Sequence, residues 1–416
     1  MKLIIHGGKE LKGEIKVSGA KNAALKMIAA SILIDGNVTL KNVPEITDVK
    51  TMAQIFEYLG GSVVWGKNTL KLNSQKINKY ELPPNLSKSL RGSIVFIGPL
   101  VSKFGKCIVP WPGGCAIGKR PLTAHTEIFK TLRVKSKIKG NLYKFEKIDN
   151  NLLNTAKLIE RSVTATENAI LYCAKNKSII LENVAAEPEI DDLIKLLNAS
   201  GAKIKRLSDS KIKISNSTNL KGNINHEIIG DRIEAGTWIS AGLLLGSNLK
   251  VIGFNPEHIQ NPIDLIKKIG ADIKVEKDSV VVNKSNLGKF YLKTGVYPQF
   301  PTDLQSPFSI LATQAQGTST IEETLFDDRL KYLPELQEMG AKVKIISDHK
   351  AQITGPIKLQ GKIIESTDLR SGATMVLAGL IADGKTTVSK AEIIDRGYDM
   401  LDDKLSAVGA DIKRVE

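Results

Sequence analysis

The sequence has few cysteines, few aromatic residues and no long apolar segment, and each shortage excludes a class of protein. Its three cysteines, Cys107, Cys115 and Cys173, are an odd number at unrelated spacings, which argues against a disulfide framework and favours a reducing, cytoplasmic location. No segment approaches the roughly 18 consecutive apolar residues that indicate a membrane-spanning helix. Aromatic residues make up only 5%, so base-stacking platforms for single-stranded nucleic acid are scarce. We therefore expect neither a membrane nor nucleic acid as a partner.

Basic residues, in contrast, are in excess. Lys and Arg number 59 against 44 Asp and Glu, which gives the 416 residues a formal net charge of +15. Such a charge raises the local concentration of anions. Because the lysines are spread along the chain with no dense basic tail, we interpret them as a solvated surface that favours small anionic ligands. The five histidines show no metal-ligand spacing, so we expect no metal site.

One phrase recurs six times along the chain: an amphipathic helix ends, Gly-Ala or a relative follows, and a short strand begins. Its anchors are spaced by about 70 residues, a fixed period that indicates repeated supersecondary units. The anchors are Gly60, Arg133, Gly201, Gly270, Gly340 and Gly409. Mixed strand and helix signals, about three units per half, predict an α/β (α+β) fold of two similar domains built from βαβαββ-type units.

Each anchor glycine is predicted to cap its helix in the left-handed conformation before the chain turns into a strand. Arg133 stands where the second unit should have this glycine. An arginine adopts positive φ less readily than glycine does, because its Cβ crowds the backbone. We therefore expect the second unit to turn differently.

The segment PGGCAIGKRP at 112–121 places a cysteine between glycines, with two cations just after it. Glycines allow the backbone to approach a ligand closely, and nearby cations favour the thiolate of Cys115. The segment is similar to a phosphate-binding P-loop, but Arg120 stands where Ser or Thr must bind Mg²⁺. The remaining interpretations are chemistry on an anionic substrate and a surface turn with an incidental cysteine.

Other segments combine charge with a turn or a helix start. GAKNAAL at 19–25 indicates a loop entering a helix, where Lys21 and Asn22 could hold an anion and a hydroxyl. The segments FPTD at 300–303, FDDR at 326–329, DLR at 368–370 and DRGY at 395–398 bring acidic residues and arginines together. Arginine suits bidentate binding of phosphate and carboxylate groups. Taken singly, each pair could equally be a surface ion pair of little value.

Taken together and in this order, these segments closely resemble the enolpyruvyl transferase family over essentially the whole chain. The cysteine loop is specific within it, since the shikimate-pathway synthase of the same family lacks that loop. The resemblance implies an inside-out α/β barrel of two domains with three repeats each. Residues 22–229 would carry the cysteine loop and part of a nucleotide-sugar site, and residues 1–21 plus 230–416 would form the second domain. The active site would lie in the interdomain cleft.

The resemblance also implies an activity. The enolpyruvyl group of phosphoenolpyruvate would be transferred to the 3′-hydroxyl of UDP-N-acetylglucosamine with release of phosphate, the first committed step of peptidoglycan precursor synthesis. Such an addition needs a proton donor at carbon, and the developing charges need fixed counter-charges. It needs no redox cofactor, so we expect none. No obligate protein partner is expected either.

Residue by residue, Cys115 matches the family's catalytic acid, which the antibiotic fosfomycin alkylates. Lys21, Arg120 and Arg396 match groups that hold phosphoenolpyruvate. Asn22 and Asp303 match contacts to the sugar, with Asp303 as the base on the attacking hydroxyl. The nucleotide-sugar site is further matched by Arg91, Pro121, Leu122, Ser162, Val163 and Leu325, and supporting charges by Arg329, Asp368 and Arg370.

Two residues depart from the family pattern. Thr123 stands where an acidic residue is common near the uracil. Thr164 stands where the family has a glycine, in the sequence motif that begins at Ser162 in this chain. Both lie in the domain expected to hold the nucleotide, so they bear on nucleotide affinity or preference rather than on the reaction type. A different class also stays open, namely a basic binding protein that has kept the fold but not the turnover. The complete set of Lys21, Cys115, Arg120, Asp303 and Arg396 argues against it.

Overall fold

The computed structural model describes residues 1–111, 113, 121–149, 153–175, 178–217 and 219–416. Cys115 and Arg120 lie outside these described residues. The chain forms two compact units. The first unit contains Met1–Ser18 and Gly230–Glu416, and the second contains the described residues from Gly19 to Ile229. No helix in the described ranges is long and apolar enough to cross a lipid bilayer.

The strands of the described residues, in chain order, are β1 (Lys2–His6), β2 (Leu11–Lys16), β3 (Asn37–Lys41), β4 (Ser62–Gly66), β5 (Thr69–Asn73), β6 (Lys106–Pro110), β7 (Val134–Lys139), β8 (Leu142–Lys147), β9 (Thr155–Lys157), β10 (Ile179–Glu182), β11 (Lys203–Ser208), β12 (Lys211–Ser215), β13 (Ile224–Glu227), β14 (Gly246–Ile252), β15 (Ile273–Val275), β16 (Ser279–Val282), β17 (Tyr291–Lys293), β18 (Gly317–Glu322), β19 (Lys342–Ser347), β20 (Lys350–Gly355), β21 (Ile363–Glu365), β22 (Lys385–Ser389) and β23 (Asp411–Val415).

The α-helices of the same residues are α1 (Lys21–Ala30), α2 (Thr47–Tyr58), α3 (Pro84–Ser89), α4 (Ile97–Phe104), α5 (Thr123–Thr131), α6 (Val163–Cys173), α7 (Pro188–Ala199), α8 (Arg232–Leu245), α9 (Gln260–Lys268), α10 (Gln305–Ala312), α11 (Leu333–Glu338), α12 (Leu369–Ile381) and α13 (Leu401–Ala407). Short 3₁₀ turns lie at Ser31–Leu33, Arg91–Phe96, Pro256–Ile259, Thr302–Leu304 and Ala391–Arg396.

Every four-stranded sheet has the same topology. A short edge strand pairs parallel with the next strand, and two antiparallel neighbours complete the sheet, as in the order β9-β10-β12-β11. The same pattern holds for β2-β14-β16-β15 and β17-β18-β20-β19 in the first unit. In the sheets β9-β10-β12-β11 and β17-β18-β20-β19 one helix joins the parallel pair and a second precedes the hairpin, which is a βαβαββ unit. In the sheet β2-β14-β16-β15 the chain instead passes through the second unit between β2 and β14, and α8 directly precedes β14. The predicted α/β fold of repeated units is confirmed.

Two of the remaining sheets draw strands from distant parts of the chain. In the first unit β1 pairs antiparallel with both β22 and β23, so the N-terminal strand completes the last repeat. In the second unit β13 pairs parallel with β3. The sixth sheet, β6-β8-β7, has three strands, and a single bridge from Glu81 to Ile108 takes the place of its parallel edge strand.

Helices that follow the parallel edge strands are buried on nearly all sides. In the first unit these interior helices are α8, α10 and α12, and they contact one another. Thirteen of the fourteen residues of α8 are buried, and all eight of α10. Helices that are apolar all round are stable only when enclosed. The sheets therefore surround the helices in this unit, the inside-out arrangement that the resemblance implies.

The second unit has its own apolar core around α1, α4 and α6. Nine of the ten residues of α1 are buried, and so are nine of the eleven of α6. The helices before the hairpins are amphipathic instead. Helix α9 of the first unit, for example, buries only Pro262, Ile263 and Ile266. The two classes of helix alternate along the chain, which is why the sequence shows one amphipathic phrase per repeat.

The anchor glycines cap the amphipathic helices as predicted. Gly60, Gly201, Gly270, Gly340 and Gly409 have φ between +99° and +106°. The expectation for Arg133 was wrong, because it also adopts positive φ, at +62°. That value lies in the small left-handed region open to residues with a Cβ, whereas the glycines lie beyond it. The Arg133 N–H donates to the Lys130 carbonyl, and its guanidinium binds Asp149 at 2.8 Å.

Candidate active site

Several of the predicted site residues that the structure describes lie at the N-terminal ends of interior helices. Lys21 and Asn22 begin α1, and Ser162 caps α6. In the first unit the 3₁₀ turn with Asp303 leads into α10, and Asp368 caps α12. Because backbone N–H groups are unpaired at helix starts and the helix dipole is positive there, these ends favour anions. The repeats thus place one charged segment at the same end of several helices.

Lys21 is buried and paired. Its Nζ atom lies 2.7 Å from Oδ2 of Asp48, and both side chains are at most one-tenth exposed. Asp48 lies in the first turn of α2, so the ion pair joins the starts of α1 and α2. Because either charge alone is costly to bury, the ammonium group and the carboxylate stabilise each other in this position. Asn22, the next residue, is partly exposed.

Arg91 and the start of α5 lie side by side in the second unit. The Arg91 guanidinium donates to the Pro121 carbonyl at 3.4 Å. Pro121 is exposed, whereas Leu122 is buried and forms the N-cap of α5. The structure therefore brings together three of the residues predicted for the nucleotide sugar.

Ser162 and Val163 belong to the start of α6. The Ser162 hydroxyl accepts a hydrogen bond from the Ala165 N–H at 3.4 Å, and Val163 is the first helical residue. Thr164 follows, and its Oγ1 lies 3.1 Å from Nε2 of His125 on α5. Burial, reinforced by the charge of Arg91, lowers the pKa of His125 to about 3, so its ring is neutral.

In the first unit, Asp303 is held by two buried arginines. Arg329 donates to its Oδ1, and Arg370 donates to its Oδ2 at 3.4 Å. Both guanidinium groups are at most 4% exposed, whereas the Asp303 side chain is 31% exposed. The carboxylate is thus the accessible part of a rigid cationic cradle. The buried Nε atoms of both arginines have no hydrogen-bond partner among the described residues.

Asp368 and Tyr398 complete this group of charges. Asp368 accepts backbone hydrogen bonds from Arg370 and Ser371 and lies 4.0 Å from the Arg329 guanidinium. The Arg370 guanidinium lies 5.2 Å from the ring centre of Tyr398. Burial by itself lowers the pKa of Arg370, but Tyr398 and Asp303 act in the opposite direction and the net pKa is raised. Arg370 is therefore a permanent cation.

Arg396 and Leu325 lie in the same unit. Arg396 ends the 3₁₀ turn Ala391–Arg396 and is partly exposed. Leu325 is 38% exposed, and its N–H donates to Oε1 of Glu323. The other oxygen of Glu323 accepts from the hydroxyl of Thr302, the neighbour of Asp303. Leu325 is thereby linked to the Asp303 turn. The two remaining predicted residues, Cys115 and Arg120, lie outside the described residues.

Sequence reasoning missed the residues that hold the predicted ones in place. Asp48 and His125 carry no local signal, because their partners are distant in sequence and meet them only in the fold. Asp231, the cap of the interior helix α8, acts electrostatically to raise the pKa of Arg370, and it was missed as well. Aligning the six repeats on their interior helices, rather than on their glycines, would have pointed to Asp231.

Comparison with known proteins supplies a family. Residues 5–405 match the model of the family described as EPSP synthase (3-phosphoshikimate 1-carboxyvinyltransferase). A curated relative from Listeria monocytogenes, named UDP-N-acetylglucosamine 1-carboxyvinyltransferase 2, is 40% identical over 99% of this chain and 97% of its own length. A relative from Helicobacter pylori, named UDP-N-acetylglucosamine 1-carboxyvinyltransferase, is 38% identical over 100% of this chain and 99% of its own length.

Solved structures with the same fold are more distant in sequence. The enolpyruvyl transferase NikO from Streptomyces tendae superposes with a TM-score of 0.88 at 23% identity, covering 99% of this chain and 98% of its own. EPSP synthase from Acinetobacter baumannii superposes with a TM-score of 0.75 at 18% identity, covering 100% of both chains. At these identities the likeness establishes the fold of this chain.

Proposed function

Because this chain belongs to the EPSP synthase (3-phosphoshikimate 1-carboxyvinyltransferase) family, we propose that it transfers an enolpyruvyl group, with UDP-N-acetylglucosamine as the acceptor. The observation that carries the choice of acceptor is the near-complete match, at about 40% identity, to relatives named for that substrate. The donor is phosphoenolpyruvate and the second product is phosphate. The reaction is the first committed step of peptidoglycan precursor synthesis.

The reaction proceeds by addition and elimination. The oxygen of the 3′-hydroxyl bonds to C2 of phosphoenolpyruvate while the Cys115 thiol delivers its proton to the methylene carbon C3. The Cys115 thiolate then takes a proton back from the new methyl group, the C2–O bond to phosphate breaks, and the enol ether forms. Asp303 takes the proton of the attacking hydroxyl. The exposed carboxylate between two buried guanidinium groups supports this role, because its position is fixed and it faces solvent.

Fixed charges hold the anionic donor. We assign this role to Lys21, Arg120 and Arg396, with Lys21 and Arg396 also stabilising charge as the phosphate departs. The tight Lys21–Asp48 pair supports a preorganised cation, because its ammonium group is already desolvated and oriented. We place the activity in the cytoplasm, as the cysteine usage favours.

Contacts to the sugar nucleotide come from a larger set of side chains and backbone groups. Arg91, Pro121, Leu122 and Ser162 to Val163 bind the nucleotide and its phosphates, and Asn22 binds the sugar. The juxtaposition of Arg91 with Pro121 supports this grouping. Leu325, Arg329, Asp368 and Arg370 support the acceptor side around Asp303.

Phosphate release tests the proposal. Purified protein with phosphoenolpyruvate and UDP-N-acetylglucosamine should release phosphate, and the Cys115→Ala variant should release none above background. Shikimate 3-phosphate serves as the competing acceptor, because the matching family model is described by that activity. Turnover with shikimate 3-phosphate alone would reassign the acceptor. No turnover with either acceptor, despite binding of UDP-N-acetylglucosamine, would favour a binding protein that has kept the fold.

A further inference from the structure

A buried polar network in the second unit joins three helices outside the residues assigned above. At its centre is His125 on α5, which is 2% exposed. Its Nε2 lies 3.1 Å from Oγ1 of Thr164, and its Nδ1 lies 3.2 Å from Nδ2 of Asn168. Thr164 and Asn168 lie one helical turn apart on α6, so a single imidazole spans that turn. Buried polar groups with complete hydrogen bonding fix a unique local geometry.

The surrounding hydrogen bonds determine which nitrogen of His125 carries the proton. Oδ1 of Asn168 accepts from the Gly98 N–H at 2.6 Å, and its Nδ2 donates to the Ile94 carbonyl at 3.0 Å. The Asn168 amide orientation is therefore defined by two backbone groups. Its Nδ2 also donates to Nδ1 of His125, so that nitrogen is the acceptor. The proton of the neutral ring is on Nε2, which donates to the Thr164 hydroxyl.

The same network connects the segments that carry the proposed nucleotide-sugar residues. Asn168 is bound to the 3₁₀ turn Arg91–Phe96 through the Ile94 carbonyl. The N–H of His125 donates to the carbonyl of Leu122, the cap of α5. Thr164 directly follows Val163 in the first turn of α6. A displacement of the imidazole would thus be transmitted to all three segments.

We propose that His125 is a positioning residue for the sugar nucleotide, acting through Thr164. By donating to Oγ1, His125 occupies a lone pair of the hydroxyl and leaves its proton to be donated to an anionic oxygen of the bound ligand. The ligand class is a nucleoside diphosphate sugar, so the inference rests on the proposed function. Thr164 stands where the family pattern has glycine, and the hydroxyl donor is therefore a feature of this chain.

Four variants separate positioning from general structural support. His125→Gln keeps an N–H donor that reaches Thr164, whereas His125→Asn is too short to do so. Thr164→Val removes the hydroxyl at nearly constant volume, and Thr131→Val at the far end of α5 is the matched control. We expect His125→Asn and Thr164→Val each to raise the Kd and KM for UDP-N-acetylglucosamine by about tenfold, since a hydrogen bond to a charged group is lost. The kcat and the KM for phosphoenolpyruvate should change by less than about twofold, and His125→Gln should resemble wild type.

The double variant His125→Asn with Thr164→Val tests whether His125 acts through Thr164. If His125 acts through Thr164, the double variant binds no more weakly than either single variant. Multiplying losses, or an equal loss in Thr131→Val, would overturn the proposal. Should His125→Asn fail to fold, His125→Met, which has no N–H to donate, gives the same comparison alone and combined with Thr164→Val. Calorimetry measures the Kd for UDP-N-acetylglucosamine directly, so it tests the role of His125 even if the wild-type protein releases no phosphate. The absence of phosphate release would reject the proposed function but not the role of His125 in binding.

Discussion

At the scale of single residues, the three cysteines are expected to differ sharply in reactivity. Cys107 and Cys173 are fully buried. Burial, together with the charge of Glu81, raises the pKa of the Cys107 thiol well above its ordinary value, so it stays protonated and unreactive. If Cys115 is the proposed acid, fosfomycin should add one covalent mass to the protein, more readily with UDP-N-acetylglucosamine present. Peptide mapping should locate the adduct at Cys115, and Cys115→Ala should take up none. Modification at Cys107 or Cys173 would show that the wrong cysteine was assigned.

A second residue-scale feature is a buried contact between a lysine and a glutamate away from the proposed chemistry. Lys26 on α1 and Glu167 on α6 approach to 3.4 Å with side chains at most 5% exposed. Burial raises the pKa of Glu167 to about 8, with Lys26 opposing the shift and Glu189 and Glu187 adding to it. The folded protein therefore binds a proton that the unfolded chain, with an ordinary glutamate, releases near pH 4.5.

The sign of the pH dependence follows. Since the folded-state pKa of Glu167 is raised, its contribution to stability is complete below about pH 4.5 and is lost as the pH rises towards 8. Glu167→Gln, which mimics the protonated form, should gain stability relative to wild type between about pH 5 and pH 8. Urea unfolding at several pH values measures the difference, and Glu57→Gln on the exposed side of α2 is the control. A constant difference across this range would contradict the assignment.

At the scale of elements, substitution of an anchor glycine tests whether these glycines cap the amphipathic helices of the repeats. Gly270 has φ of +99°, and a Cβ there would meet nothing closer than 3.5 Å. The cost of Gly270→Ala is thus conformational rather than steric, and we expect the free energy of unfolding to fall by about 1 kcal/mol. Gly270→Asn should recover part of it, because asparagine tolerates the left-handed region. Gly66→Ala is the control, since Gly66 is exposed with an ordinary φ and a Cβ there would make only an ordinary contact, with Thr69 at 3.7 Å. Equal effects at both positions would disprove the cap.

At this scale, the features that could be predicted from the sequence were those that depend on residues close together in the chain. Helix ends and glycine turns repeat every 70 residues or so, because each depends on neighbours within a few positions. The pairing of β1 with β22 and β23 could not be predicted, since it joins the two ends of the chain. Arg133 was misjudged for a related reason. Its left-handed turn is held by a hydrogen bond from the Ile148 N–H to its carbonyl and by Asp149, and both residues directly follow β8, which pairs with β7 after the turn.

The candidate site likewise contains some residues that could be predicted from the sequence and others that could not. Asp303, Arg329 and Arg370 could be named from their motifs, and the structure brings them together. The Asp48 partner of Lys21 could not be named, because an isolated aspartate at a helix start usually interacts with the helix itself. Contacts across repeats depend on tertiary packing, which local patterns do not encode.

At the scale of the whole molecule, part of the positive charge lies on the exposed faces of sheets. Strands β7 and β8 present Lys135, Lys137 and Lys144 on their exposed positions, and β11 and β12 present Lys205 and Lys213. Lysines at such positions keep sheets soluble and discourage edge pairing. These five exposed lysines contribute to the formal net charge of +15. Such a field acts on every approaching anion, whichever residue finally binds it.

This distribution predicts how turnover depends on salt. Both proposed substrates are anions, so screening should weaken their encounter with the protein, whereas the chemical step within the bound complex should be little affected. Raising KCl from about 20 mM to about 500 mM should lower kcat/KM for each substrate by roughly three- to tenfold and change kcat by less than about twofold. Choline chloride at matched ionic strength should have the same effect, which separates screening from a specific role of potassium. An equal fall in kcat, or a kcat/KM independent of salt, would mean that the surface lysines serve solubility and not substrate capture.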